Sequence, residues 1–128
     1  MPKTKFNLEY SLGHTSPSRL WNHLHTDAGL ESWFADRVEQ DGKQFTFHWG
    51  EASQRASLVS LRRDVYVRYR WNDDQERTFF EMRISKSELT DETTLSVTDY
   101  ADNDDDQKEL TDLWDQQVDN LKRSLGVS

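Results

Sequence analysis

Large hydrophobic and polar residues alternate near the start of the chain, from residue 6 to residue 12. An alternation with a period of two is typical of a β-strand that buries one face and exposes the other. Gly13 and His14 interrupt the alternation. The pattern therefore predicts that the first element of the chain is a strand.

A different spacing follows, in which hydrophobic residues recur every three or four positions. Ser16 and Pro17 suit the N-cap and the first position of a helix. The hydrophobic positions of that helix are Leu20, Trp21 and Leu24. Thr26 can cap a second short helix, which Gly29 is expected to weaken. The hydrophobic side of this second helix comprises Leu30, Trp33 and Phe34.

Six further segments have the composition of strands and are separated by short polar connections. They cover residues 37–40, 45–49, 56–62, 65–71, 78–86 and 93–101. Asp41-Gly42 is favoured in tight hairpin turns because both residues tolerate positive φ. Short connections favour antiparallel pairing of neighbouring strands. Two inward faces are indicated, one from Val65, Val67, Tyr69 and Trp71 and the other from Phe80, Met82 and Ile84.

The last part of the chain returns to helical spacing, from residue 104 to residue 125. Its hydrophobic stripe consists of Leu110, Leu113, Trp114, Val118, Leu121 and Leu125. Asp104 or Asp105 is the expected N-cap, and Gly126 is a typical helix stop. Because no linker or repeat divides the sequence, residues 1–128 are predicted to form one domain.

Composition narrows the classes of function. The 128 residues carry a formal net charge of −8, which disfavours binding to nucleic acid and to anionic membranes. The sequence contains no cysteine, which excludes disulfides and thiolate chemistry and fits a reducing cytoplasm. No apolar stretch is long enough for a signal peptide or a membrane span. We therefore expect a soluble cytoplasmic protein with no nucleic-acid partner.

Other clusters of polar residues are predicted to have ordinary structural roles. The histidines at 14, 23, 25 and 48 lack metal-ligand spacing, and the aspartates at 102 and 104–106 lack the order of a calcium loop. Arginines are frequent in the middle strands, at Arg62, Arg63, Arg68, Arg70, Arg77 and Arg83. Arg68 and Arg70 alternate with the inward residue Tyr69 along the strand, so their side chains are predicted on the outer face of the sheet. Glu81 on the next strand can pair with them there. No metal, cofactor or catalytic motif is predicted.

Several stretches carry a resemblance to a known family. They are Ser16-Pro17 leading to Leu20-Trp21, Thr26 with Gly29-Leu30, Trp33-Phe34-Ala35-Asp36, and Leu113-Trp114-Asp115 with Val118 and Leu121. Over essentially the whole chain the sequence resembles the START-like (SRPBCC) superfamily, in particular its branch near the Hsp90 ATPase activator homologues. The resemblance implies an α+β helix-grip fold. Such a fold has a curved antiparallel sheet of about six or seven strands, two short helices after the first strand, and a long C-terminal helix.

Members of this superfamily commonly enclose a cavity between the long helix and the concave sheet. By that resemblance, the expected ligand-binding residues are Trp33, Trp49, Tyr69, Trp71, Phe80, Met82, Trp114 and Val118. The alternative for each residue is that it fills the core. The leading hypothesis is a non-enzymatic domain that binds a small hydrophobic or amphipathic ligand. The alternatives are a protein-interaction or chaperone-regulating module and, third, a cyclase-like enzyme.

Overall fold

The computed structural model describes residues 2–74, 76 and 78–127, and these residues form seven strands and three helices. The strands are β1 (Thr4–Ser11), β2 (Arg37–Asp41), β3 (Gln44–Trp49), β4 (Ala52–Arg62), β5 (Tyr66–Trp71), β6 (Phe80–Lys86) and β7 (Thr93–Ala101). The helices are α1 (Pro17–His25), α2 (Asp27–Glu31) and α3 (Asp104–Leu125). The predicted bounds of β7 and α3 are confirmed.

All seven strands belong to one antiparallel sheet, in the order β1-β7-β6-β5-β4-β3-β2. From β2 to β7 each strand pairs with the next one along the chain, and β1 then pairs with β7. The ladder between β4 and β5 shifts register between Leu58 and Ser60, as it does at a β-bulge, which bends the strand that contains it. The arrangement is the predicted curved antiparallel sheet with two short helices and a long C-terminal helix.

The concave face of the sheet carries the hydrophobic core. Alternate residues of the central strands point to this face and are almost fully buried, namely Phe45, Phe47, Val67, Tyr69, Phe80, Met82, Leu95 and Val97. Helix α1 packs over β5 and β6, and the hydroxyl of Tyr69 donates to the Leu24 carbonyl at 2.8 Å. Helix α3 lies beside β7 and β1, where the Tyr10 hydroxyl donates to Asp115 at 2.7 Å. The helices therefore cover the inner face and leave the opposite face outward.

The starts of the two short helices follow the predicted capping pattern. The Ser16 hydroxyl accepts a hydrogen bond from the Arg19 amide at 3.2 Å, and the Thr26 hydroxyl accepts one from the Gly29 amide at 2.9 Å. Both caps satisfy backbone donors that a helix start leaves unpaired.

The end of α2 differs from the prediction, because Trp33 and Phe34 lie beyond it. The Leu30 carbonyl accepts bonds from the amides of Trp33 (3.3 Å) and Phe34 (2.8 Å), so the chain tightens into turns after Glu31. Gly29 has a different role from the weakening one expected for it. A Cβ at this position would lie 2.0 Å from the Asn22 carbonyl oxygen, so glycine allows α2 to pack closely on α1.

Helix α3 also differs from the sequence prediction in two details. Its N-cap is Asn103, not Asp104 or Asp105, because the Asn103 side chain accepts from the Asp106 amide at 2.9 Å. The helical spacing predicts Leu113 on the hydrophobic stripe, but Leu113 is 48% exposed, whereas Gln117 is 8% exposed. The buried stripe is Trp114, Gln117, Val118, Leu121 and Leu125. Gly126 ends the helix with a left-handed φ of 75°, as predicted.

The outer face of the central strands is charged, as predicted. Glu81 binds Arg68 with an oxygen–nitrogen distance of 2.7 Å, and Arg83 also contacts it at 3.3 Å. Arg70 differs from the prediction, because its Nε donates to the Thr78 carbonyl at 3.2 Å. Arg77, which was grouped with these arginines, lies outside the described residues. Glu81 therefore pairs with two arginines, and its own strand supplies one of them.

Candidate functional site

A pocket of about 550 Å³ opens between the first half of α3 and one end of the concave sheet face. Because the strands are antiparallel, this end collects the last residues of β3, β5 and β7 and the first residues of β4 and β6. The turn after α2 supplies one further wall. The lining residues are Phe34, Trp49, Gln54, Trp71, Phe80, Asp99, Leu110, Leu113, Trp114 and Gln117. The pocket therefore depends on the long-range assembly of the sheet with α3.

Aromatic rings form most of the apolar wall, and they contact one another in a closed circuit. The ring centroids are 6.2 Å apart between Trp49 and Trp71, and 5.1 Å apart between Trp71 and Phe80. The circuit continues from Phe80 to Trp114 at 6.0 Å and from Trp114 to Phe34 at 5.7 Å. Phe34 and Trp49 close it at 6.0 Å. These distances are typical of favourable aromatic pairs, so the rings hold each other in place.

The carbonyl of Phe34 fixes two walls of the pocket. It accepts a hydrogen bond from the Trp49 indole and another from the Gln117 amide, each at 2.9 Å. Gln117 lies on α3, Trp49 on β3, and Phe34 in the turn after α2. One backbone oxygen therefore ties three elements together, and it engages the Trp49 indole N–H and one of the two amide N–H groups of Gln117.

Asp99 is the charged residue among those that line the pocket. One carboxylate oxygen accepts from the Trp114 indole at 2.9 Å, and the other accepts from the Tyr100 amide at 2.8 Å. Burial raises the pKa of the Asp99 carboxyl above its usual range, although these two hydrogen bonds oppose the rise. A partly buried carboxylate thus lies beside an aromatic wall, where both of its oxygens are oriented by protein donors.

The structure brings only part of the predicted ligand-binding set together. Trp49, Trp71, Phe80 and Trp114 line the pocket. Trp33 lines a neighbouring depression of about 450 Å³, and its indole donates to the His23 carbonyl at 2.8 Å. The other three predicted residues are buried in the core and do not line the pocket: Tyr69, Met82 and Val118.

The lining also contains residues that sequence reasoning did not select. These are Phe34, Gln54, Asp99, Leu110, Leu113 and Gln117. A usable signal existed for Asp99, because it continues the inward parity of Leu95 and Val97 on β7 as a carboxylate. Another existed for Gln117, which lies one helical turn from Trp114 on the same side of α3. Neither residue stands out by hydrophobicity, so a pattern of large hydrophobic side chains does not indicate them.

The walls of two other depressions are more polar than those of this pocket. The depression at Trp33 is lined in part by Glu31, Asp36 and Asn120. A second one, of about 410 Å³, lies between α1 and the β4–β5 turn and includes Arg63 and Asp64. The pocket at Trp114 therefore combines a large aromatic wall with few polar groups, which is the composition typical of sites for small organic ligands.

Two further features of the described chain bear on function. Within residues 2–74, 76 and 78–127, no group of three or more His, Cys, Asp or Glu side chains is arranged to hold a metal ion. None of the helices formed by these residues combines the length and the apolar character needed to cross a membrane.

Comparison with known proteins gives one family and several similar structures. The model of the START-like superfamily domain matches residues 1–127. The structure of BfR322 from Bacteroides fragilis is similar, with 40% sequence identity and a TM-score of 0.69, and the match covers 97% of this chain and 92% of that one. No curated protein matches the chain.

Two less identical structures share the fold. The Aha1 dimer from Colwellia psychrerythraea matches at 17% identity and a TM-score of 0.79, over 95% of this chain and 96% of that one. DynU16, described as a putative protein in the dynemicin biosynthetic locus, matches at 15% identity and a TM-score of 0.81, over 98% of this chain and 48% of that one. At these identities the likeness concerns the fold alone.

Proposed function

The chain belongs to the START-like superfamily, and we propose that it binds a small ligand with a large apolar body in the pocket between α3 and the sheet. The observation that carries the proposal is the pocket of about 550 Å³, which has an aromatic wall and few polar groups. Sites for small organic ligands commonly have volumes of about 300–1,000 Å³ and walls of this composition. Binding alone, without chemistry, accounts for these features.

The affinity would come mainly from apolar surface removed from water. Each methylene group of a ligand that becomes fully buried contributes about 0.8 kcal/mol. The protein side is largely organised before binding, because the Trp49 and Trp114 indoles are held by hydrogen bonds and the rings support one another. A wall that is already ordered loses little further side-chain entropy when the ligand enters. The binding affinity should therefore increase strongly with the length of the ligand's alkyl chain.

A calorimetric titration with 1-octanol and 1-hexanol tests this proposal. The two alcohols differ by two methylene groups, so 1-octanol should bind about tenfold more tightly than 1-hexanol. Leu110 lies on α3 at the pocket, so Leu110→Trp should fill the space and weaken 1-octanol binding. Glu109→Trp adds the same side chain at an exposed position of the same helix and should leave binding unchanged.

Two results would contradict the proposal. One is the absence of saturable binding of 1-octanol to the wild-type protein. The other is equal weakening by Leu110→Trp and Glu109→Trp, which would place the alcohol elsewhere. Native mass spectrometry of the purified protein provides a second observation, because a bound natural ligand would add a fixed mass that Leu110→Trp removes.

The other roles considered from the sequence have less support. A protein-interaction or chaperone-regulating role stays a prediction, because the likeness to Aha1 is at 17% identity and concerns the fold. Pulldown of a stoichiometric partner from lysate would support it. The cytoplasmic location, the single domain over residues 1–128 and the cyclase-like alternative also remain predictions.

A further inference from the structure

We propose that the pocket selects ligands whose polar head is an organic cation, and that Asp99 is the counter-charge for that head. This inference rests on the proposed function, because it concerns the head group of the ligand that would enter the same pocket. It distinguishes an ammonium-bearing amphiphile from a fatty acid or a neutral alcohol of the same length.

Asp99 lies on the face of the sheet that carries the hydrophobic core. Leu95, Val97 and Asp99 share the inward face of β7, so the strand directs a carboxylate to a face that is otherwise apolar at these positions. Asp99 then lines the pocket together with Trp71, Phe80 and Trp114. A charged side chain is costly to place beside apolar groups unless it has a partner. Its placement there therefore needs a compensating interaction.

The hydrogen bonds of Asp99 compensate only in part. A carboxylate has about four acceptor positions, and the protein fills two of them through the Trp114 indole and the Tyr100 amide. Within residues 2–74, 76 and 78–127, no Lys or Arg forms an ion pair with Asp99. The positive charge of Lys3 acts on Asp99 from beyond ion-pair distance, and the negative charge of Asp106 opposes it. The carboxylate thus keeps two acceptor positions and has no contacting positive charge among the described residues.

The remaining polar groups of the pocket favour the same kind of ligand. The indole donors of Trp49 and Trp114 and one N–H of Gln117 are already engaged within the protein, which leaves a ligand anion the second N–H of Gln117 and the neutral amide of Gln54. An anionic head beside Asp99 would place two like charges close together in a partly dry site. Ring faces also attract cations by their quadrupoles. A head that donates hydrogen bonds and carries positive charge fits both the carboxylate and the rings.

Three probes of equal chain length test the inference in the wild-type protein: octylammonium, 1-octanol and octanoate. Calorimetric titrations at pH 7 and low salt should give the tightest binding for octylammonium, by about tenfold or more over 1-octanol, because hydrogen bonds between charged groups are stronger than neutral ones. Octanoate should bind most weakly. The comparison needs no mutant, so it does not depend on the folding of a variant.

The variant Asp99→Asn then assigns the preference to the carboxylate. It removes the charge with little change in size, although an Asn side chain can accept from only one of the two donors, the Trp114 indole or the Tyr100 amide. The readout is therefore the ratio of the two affinities within the same variant, and the advantage of octylammonium over 1-octanol should fall to within about twofold. Asp102→Asn is the matched control, because it removes one negative charge at an exposed position just after β7. This control should retain the wild-type preference.

The outcomes separate the inference from the function on which it rests. If 1-octanol binds in the pocket but octylammonium binds no more tightly, or octanoate binds equally well, the inference is overturned and the proposed function stands. If Asp102→Asn reduces the preference as much as Asp99→Asn does, the effect comes from net charge and the role of Asp99 is overturned. If none of the three probes binds, both the inference and the proposed function fail.

Discussion

Replacement of Trp114 by alanine is the perturbation that most sharply tests the packing between α3 and the sheet. Trp114 is buried, with only 4% of its surface exposed. Its ring lies 5.7 Å from that of Phe34 and 6.0 Å from that of Phe80, between centroids. Its indole donates to Asp99 at 2.9 Å. The substitution therefore removes buried area, ring contacts and a hydrogen bond to a carboxylate at the same time.

The expected size of the loss follows from these contacts. Replacement of a buried Phe or Trp by alanine costs about 3–5 kcal/mol of unfolding free energy. A donor lost from a fully buried acceptor would add about 1–3 kcal/mol, but Asp99 borders the pocket, so water can replace the lost indole donor there. The pocket already borders one side of the ring, so water can enter the space left by the mutation and reduce the cavity penalty. We therefore expect a loss of about 3 kcal/mol, near the lower end of the usual range.

Denaturant unfolding of the wild type, Trp114→Ala, Trp114→Phe and one control variant measures this loss. Leu113→Ala is the matched control, because Leu113 precedes Trp114 on the same helix and is 48% exposed; it should cost less than about 1 kcal/mol. Trp114→Phe keeps a ring but loses the donor to Asp99, so its loss should be intermediate. A loss below about 1.5 kcal/mol for Trp114→Ala, or one no larger than that of Leu113→Ala, would refute the reasoning.

Three further predictions concern other parts of the fold. Gly29→Ala should destabilise the protein by more than about 2 kcal/mol, because the added Cβ would lie 2.0 Å from a backbone oxygen of α1. The control Gly42→Ala is strained by positive φ but meets no atom within 4 Å, so it should cost about 1 kcal/mol. Equal losses for the two variants in thermal unfolding would contradict the close approach of α2 to α1. Asn103→Ala should cost about 1 kcal/mol by removing the N-cap of α3, and Asp104→Ala clearly less; the reverse order would mean that the cap is misassigned. Burial opposes ionisation of Glu81, but hydrogen bonds and charges from two arginines outweigh burial and lower the pKa of Glu81 below the ordinary 4.5. The ionised carboxylate therefore stabilises the fold above the unfolded-state pKa, and this contribution is lost as the pH falls through the folded-state pKa. Glu81→Gln should therefore cost about 1 kcal/mol at pH 7, and much less in denaturant melts at a pH below the folded-state pKa of Glu81; a difference independent of pH would contradict the ion pair.

The sequence predicts the elements of this fold well because most of them depend on local patterns. The bounds of β7 and α3 follow from a period of two and a helical stripe, and the caps at Ser16 and Thr26 follow from local hydrogen bonding. The N-cap of α3 was harder to assign, since Asn103 and the aspartates after it are all good caps and only the backbone path selects one.

The pocket was less predictable because it depends on the space that side chains leave, not on which of them point inward. Tyr69 and Trp71 share one inward face of β5, yet Tyr69 is fully buried while Trp71 reaches the pocket at the end of the strand. The alternation along a strand predicts which face of the sheet a side chain lies on, but not how deeply α3 buries that side chain. The contribution of Gln117 depends on a bond to the Phe34 carbonyl, 83 residues away in sequence, which no local pattern indicates.

The tryptophan indoles allow the most direct measurement of ligand entry. Of the five tryptophans, Trp49, Trp71 and Trp114 line the proposed pocket, whereas Trp21 lies at a separate depression beside α1. In a two-dimensional ¹H–¹⁵N NMR titration with 1-octanol, the indole N–H resonances of these three residues should shift together with one dissociation constant, and that of Trp21 should stay unchanged. If the three resonances do not respond in a saturable way, or if Trp21 responds in their place, the pocket between α3 and the sheet is not the ligand site.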